Sequence, residues 1–474
     1  MSKSETPGRD LWFSACLGVI AFLPRLYVAI AWPREPVWDG HYYDFGARRI
    51  AAGLGYSDGI DAWHPWCHWP VGYSGMLAAT YRAFGDGPHV ATIFNAVVGA
   101  LLAVFTHRLA RYELSTPRAR LAGVLVALYP GLVAYTALVM TEPISALAGV
   151  VAGWVWVRNR TEKPMLGAAL FGVVIGLGTL VHPSFIAYAP ALVLLFGDTV
   201  AGSLTPPALR SSLAAAALAT ACAFVPVLPW TLRNCLVMDR CTLVSTNGGW
   251  NLAIGSFSRA TGRFETLRST DGCAVVTGQV EQDACWRDLA ISTIRADPGR
   301  WLGLVPKKLG FTFDHESFPV EYLHEADPDR WPDDRRRKGR ALLSAAHRVL
   351  VTAAAFSIVP APRPEQAPKT LLRAIVLGAV VIGLSALVWL HDDSPFYLLA
   401  ATSAVFWPSS GPVLRWARLS LLGTLATHAV FFGEDRYHFV VTPMLCLLAA
   451  GALRRHAEST FNPPHAMQHA VLRH

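Results

Sequence analysis

The polar residues of this chain gather where long apolar runs end, and several are of types that move protons or hold anions. Asp39 stands in Val37-Trp38-Asp39-Gly40-His41-Tyr42-Tyr43, just past the first apolar run. A carboxylate held at headgroup depth can take a proton from a hydroxyl. Its ordinary role would be a helix cap or loop carboxylate. Glu142, in Met140-Thr141-Glu142-Pro143, and His182, before Pro183, occupy similar edges. An acid in a first helical turn behind a Thr cap is the plain reading of Glu142. Arg436 opens the last apolar run in Arg436-Tyr437-His438. A guanidinium there is either a snorkelling anchor or a phosphate clamp, since it pairs bidentately with phosphate. Arg233 closes another run in Pro229-Trp230-Thr231-Leu232-Arg233-Asn234. Asn247-Gly248-Gly249, with Asn251, follows it. Such Gly and Asn density suits a tight loop whose backbone N–H groups face an anion or a sugar.

The elements that must position these groups are membrane spans. Of 474 residues, 53% are hydrophobic and 16% charged, with mean hydropathy +0.35. Soluble domains carry about 25% charge, so a water-soluble chain of this size would lack polar surface. The 16 Trp, 13 Tyr and 22 Phe exclude disorder and collagen. The fold class is therefore an all-α polytopic membrane protein. Runs near 11–32, 89–108, 120–138, 142–157, 165–181, 184–197, 211–231, 341–359, 371–390, 395–410, 415–432 and 437–453 predict about twelve spans, at ~20 apolar residues each. The first run is too long for the core of a cleaved signal and reads as retained. Arg25 within it must snorkel or face protein.

The net charge of +8 sits at the ends of apolar runs, which points to orientation and headgroups and not to nucleic acid. Arg108, Arg111, Arg118, Arg120, Arg158, Arg160, Lys163, Arg363, Lys369, Arg373, Arg415, Arg418, Arg454 and Arg455 fall on one side if the N-terminus is inside. The connection His391-Asp392-Asp393 falls on the other. Arg335-Arg336-Arg337-Lys338 conflicts with this scheme.

The chain divides into 1–232 with a first outer loop at 33–88, an outer region 233–340, and 341–474. Within 233–340, Thr277 to Ala296 predicts a helix. Asp297-Pro298 starts another as cap and first residue. Trp301 to Phe313, with Lys307 and Lys308, lies on the membrane. The inner connections are short and carry no Gly-rich phosphate loop, so chemistry belongs on the outer face and draws on no nucleotide. Four of the eight Cys share the outer region and allow three disulfide connectivities. Proximity favours Cys235–Cys241 with Cys273–Cys285. No Cys or His spacing resembles a zinc site.

Taken in order, these pieces resemble the GT-C membrane glycosyltransferases, specifically bacterial relatives of the protein O-mannosyltransferases and lipid A aminoarabinose transferases. The resemblance runs over roughly 11–453. It rests on Asp39 with Tyr43 and the following Gly-x-Gly-Tyr, Pro70-x-Gly72-Tyr73, and Thr141-Glu142-Pro143. It rests also on Pro229-Trp230 with Arg233-Asn234, Asn247-Gly248-Gly249 with Asn251, Asp297-Pro298-Gly299 with Trp301 and Lys308, and Arg436-Tyr437. Two departures stand out: Trp69 replaces the basic residue many relatives place before this motif, and Asp39-Gly40 replaces an acidic pair.

The resemblance implies transfer of a sugar from a polyprenyl-phosphate donor to a lipid, glycan or protein acceptor, with inversion. It implies Asp39 as base and Glu142 as a second acid of the catalytic site. Arg436, Tyr437, Arg233, Lys308 and His68 would hold the donor phosphate. Tyr43, Tyr73, His182, Asn247 and Asn251 would face substrate. It implies no metal or cofactor, and a place in a bacterial inner membrane with the site facing the periplasm. The rival readings are a polyprenyl-lipid flippase or transporter, and an inactive homologue acting as a membrane scaffold.

Overall fold

A computed structural model describes residues 7–32, 34–59, 64–196, 206–274, 278–360, 367–390, 395–405 and 411–453. Arg363, His391 to Asp393, Arg454 and Arg455 lie outside these residues. Among the described residues there are helices and two isolated bridges, with no strand. The chain is an all-α, multi-pass membrane protein.

Every predicted run is helical where described, though not every one is a single helix long and apolar enough to cross a bilayer. Among the described residues six helices are long and apolar enough to cross a bilayer: Gly8–Ala31, Pro88–Ala110, Pro164–Val181, Leu209–Val237, Asp333–Ile358 and Thr370–Leu390. A seventh is Thr116–Leu128 with Pro130–Ala137, bent by 45°. Pro183–Leu195 and Tyr437–Ala452 are apolar but short. Glu142–Asn159 and Pro412–Val430 begin or run with charges that the bare count of apolar residues passed over. Along Pro206–Val237, Leu213, Val225, Leu228, Leu232 and Leu236 stay exposed, as a lipid-facing row does.

Small residues let helices close. Gly172 and Gly176 lie against the backbone carbonyls of Ala219 and Ala223, where any Cβ would collide. This is the small-xxx-small packing of membrane helices.

Three buried cations cap helix ends. Pro130 breaks the bent span, because it has no N–H for the ladder. That leaves the Val126 and Ala127 carbonyls free, and Arg25 donates to them at 2.9 and 2.6 Å. Gly99 gives Arg25 room, and Arg25 is fully buried. Lys308 donates to the Ala429 and Val430 carbonyls at 3.4 and 3.0 Å. Arg418 donates to the Ser403 and Ser357 carbonyls. Positive groups belong at helix C-termini, where carbonyls lack partners. Arg415 and Arg418 are thus buried and not at headgroups, so they drop out of the orientation argument. The 335–338 run is paired within the chain: Arg336 meets Glu321 and Asp333, and Lys338 meets Asp334.

Between the spans, Asp39–Ala51 and Val71–Phe84 pack on each other. Gly248–Ile254 and Gln279–Ala296 build a small module around Phe257, Trp286 and Phe432. Both proximity-favoured disulfides are present. Asp297 caps the next helix, accepting from Arg300 N at 2.8 Å.

Candidate active site

The helix Asp39–Ala51 starts at Asp39, and the segment 431–436 precedes the last apolar helix. Each is fixed by its own packing. Trp38, the residue before Asp39, holds φ +52°, the only positive φ of a non-glycine among the described residues. Its indole packs on Phe318 and Tyr322. Gly433 N donates to Gly262 O at 2.9 Å, and a Cβ on Gly433 would strike the Lys308 carbonyl. The Asp435 carboxylate accepts from the backbone N–H of Ser317 and Phe318. The 431–436 segment is therefore tied on both sides.

These two anchored segments meet. Arg436 Nη1 donates to Asp39 Oδ2 at 2.6 Å, and Nη2 donates to Tyr437 Oη at 3.2 Å. Trp69 Nε1 donates to Asp39 Oδ1 at 3.3 Å. Arg436 Nε lies 2.8 Å from Glu434 Oε2, but off the line a hydrogen bond needs. The guanidinium also covers the Phe318 and Tyr437 rings. Glu142 is buried with Oε2 unpartnered among the described residues, and the charges of Arg436 and Asp39 both reach it.

Burial raises the Asp39 carboxyl, but the charge and hydrogen bond of Arg436 outweigh it and hold it below the usual range. Protein surrounds Asp39, yet 32% of its side-chain surface remains open. Burial raises Glu434 to about 6, against the pull of Arg436. Burial lowers His68 to about 4, although Asp39 opposes this. His68 is therefore neutral near pH 7.

Behind Tyr437 a small polar cavity of about 20 Å³, room for little more than a water, is lined by His182, Ser184, Tyr188, Thr427 and His428 among others. His182 Nδ1 and Ser184 Oγ are 2.8 Å apart. The His428 ring stacks on Tyr437 at 4.2 Å. Its Nδ1 must carry the proton it gives to Phe432 O, since a carbonyl only accepts.

The predicted site residues thus separate into two groups. Asp39, Arg436, Tyr437, Glu142 and His182 converge, and the buried Tyr43 phenol feels Asp39, Glu142 and Arg436. The others turn elsewhere. Lys308 is spent on helix carbonyls, and burial lowers it to about 8. Arg233 donates to the Trp66 and Tyr56 carbonyls at 3.0 and 2.7 Å, bracing the first outer loop. Tyr73 is fully buried, its hydroxyl given to Asn95 Oδ1 at 2.9 Å. His68 brings no charge for a phosphate. Asn247 receives the Ser245 hydroxyl and precedes the short helix that holds Asn251. One N–H at that turn is already taken: Asp283 Oδ1 accepts from Trp250 N at 3.0 Å. Trp69 and Glu434 are the site residues that sequence reasoning missed. Trp69 stood out only as a departure from a family pattern, and Glu434 gave no signal beyond standing two residues before Arg436.

The chain's relations follow. Residues 68–230 match the family model for dolichyl-phosphate-mannose-protein mannosyltransferase. That segment includes His68, Tyr73, Glu142 and His182, while Asp39 and Arg436 lie outside it. The resemblance to GT-C glycosyltransferases related to the O-mannosyltransferases is thereby found again. No curated protein matches the chain. Among solved structures, the oligosaccharyltransferase AglB of Archaeoglobus fulgidus, with an inhibitory peptide and a dolichol-phosphate, is 16% identical. It covers 94% of this chain and 50% of its own, with a TM-score of 0.42. ArnT of Cupriavidus metallidurans bound to undecaprenyl phosphate is 15% identical, covering 94% and 77%, with a TM-score of 0.37. The chain spans about half the length of the oligosaccharyltransferase chain.

Proposed function

We propose that the chain is a membrane glycosyltransferase that moves a sugar from a polyprenyl-phosphate donor to a lipid, glycan or protein hydroxyl outside the inner membrane of a bacterium. The observation that carries this reading is the Asp39–Arg436 pair at 2.6 Å, open on its Asp39 side. One residue is a base and the other a phosphate partner, and they sit within reach of one substrate.

In the resting site the charges of Asp39, Glu434 and Glu142 all reach the Arg436 guanidinium. A donor phosphate must therefore compete for Arg436. As it takes the guanidinium, Asp39 loses the contact that holds its pKa down and becomes a better base. It then removes the acceptor's proton, the acceptor oxygen bonds to the anomeric carbon, and the carbon–phosphate oxygen bond breaks with inversion. The polyprenyl phosphate leaves with the bonding pair, stabilised by Arg436. The absence of a metal or cofactor from this step remains part of the proposal.

The test is label transfer in proteoliposomes from a radiolabelled polyprenyl-phosphate sugar. We expect transfer by the wild type and a loss of about 10²–10⁴-fold in Asp39→Asn, with membrane insertion retained. Transfer at wild-type rate by that variant would overturn Asp39 as base, and no transfer by the wild type across a panel of such donors would overturn the donor class.

A further inference from the structure

Beneath the Asp39–Arg436 pair lies a second polar cluster that the proposed reaction does not use. Glu316, His347 and His438 are all fully buried. Each comes from a different part of the chain: the turn after Val305–Phe313, the middle of Asp333–Ala355, and the short helix after Arg436. One donor atom from each lies within 4.8 Å of the other two.

Their hydrogen bonds fix which atoms are free. His347 Nε2 is 2.9 Å from Phe313 O, and His438 Nδ1 is 2.7 Å from Thr312 O. A carbonyl only accepts, so both nitrogens carry protons. In the neutral rings, His347 Nδ1 and His438 Nε2 are then lone pairs. They point at the same carboxylate oxygen, Glu316 Oε2, at 3.9 and 3.0 Å. His347 Nδ1 and Glu316 Oε1 have no hydrogen-bond partner among the described residues. Two lone pairs converging on a carboxylate repel unless a proton or a metal cation lies between them.

The surroundings fit ligation. Imidazole ligands are oriented by carbonyls on their second nitrogen, and ligating carboxylates are themselves hydrogen-bonded. Here Tyr129 Oη donates to Glu316 Oε2 at 2.6 Å. Ser344 holds the Glu316 backbone by two bonds of 3.1 Å, one turn from His347 on the same helix. Ligands of a tetrahedral zinc ion stand roughly 3.3 Å apart, from bonds of about 2.0–2.1 Å. The His438–Glu316 spacing is already close to this, and a tilt of His347 out of its stack on His438 brings the third ligand in.

We propose that Glu316, His347 and His438 form a binding site for one divalent borderline metal ion, zinc first, separate from the transfer site. Two imidazoles and a carboxylate favour zinc over magnesium or calcium, which prefer all-oxygen sets. The ion would join three distant segments and fix the turn that follows Arg436.

The probes are Zn²⁺ and Co²⁺ alone, added to the purified full chain in detergent after chelation. We expect about one tightly held zinc per chain and a Co²⁺ absorption spectrum of nitrogen–oxygen tetrahedral type. His347→Gln should weaken Zn²⁺ binding at least ~10-fold. The Co²⁺ spectrum needs no variant, so a misfolded His347→Gln leaves the test intact. A wild type that holds no zinc after dialysis, a Co²⁺ spectrum of octahedral oxygen type, or unchanged affinity in a folded His347→Gln overturns the site. None of these readouts depends on sugar transfer.

Discussion

Arg436 Nη1 sits 2.6 Å from Asp39 Oδ2 across 397 positions of sequence. Neither residue can change its role without the other responding. A lysine in place of Arg436 keeps the charge but loses the fork that reaches both Asp39 and a phosphate. Arg436→Lys should cut transfer by about 10²–10³-fold with a higher donor KM. Initial rates against donor concentration check this, and an unchanged KM returns Arg436 to the role of anchor.

Acid should strengthen donor binding. Glu434 is raised to about 6, whereas Asp39 is lowered and stays ionised well below that. Between pH 8 and pH 5.5 only Glu434 of this pair of carboxylates takes up a proton. Protonation removes a competitor for the guanidinium, so donor KM should fall by up to about tenfold as pH drops. Glu434→Gln should bind donor well at both pH values. A pH curve shared by wild type and variant would exclude Glu434 as the titrating group.

Lys308→Met separates capping from phosphate binding. The side chain is fully buried and hydrogen-bonded to the Val430 carbonyl at 3.0 Å. Its loss should cost about 1.5–3 kcal/mol of stability and leave donor KM near the wild-type value. Thermal unfolding and kinetics on one preparation decide it; a large KM change with full stability would restore Lys308 to the phosphate.

The cysteines report the compartment. Cys16, Cys67, Cys222 and Cys446 are free, while the other four are paired. If 233–340 faces an oxidising space, four of eight thiols should alkylate in unreduced, denatured protein. Eight would place that region on the reducing side.

Much of the fold was legible, because apolar runs announce helices whatever lies between them. Asp39, Glu142 and Arg436 were legible because a charge at the edge of an apolar run is costly and must have a reason. The fates of Lys308 and Arg418 were not. A cation near a helix end reads identically whether it meets carbonyls, lipid or phosphate, and only packing decides. The surroundings of Asn247-Gly248-Gly249 were hidden for a similar reason: Asp283, which takes the N–H of the adjoining Trp250, is 33 positions away. Glu316, His347 and His438 had no pattern at all, since 31 and 91 positions separate them in sequence.

Trp38 carries a consequence for how this protein can be altered. Its backbone occupies a region that glycine would hold at no cost, while Phe318 and Tyr322 grip its ring. Trading the tryptophan for glycine would ease the turn and release the grip together. The two effects oppose each other in stability, and the carboxylate next door would lose the neighbour whose ring anchors its helix start.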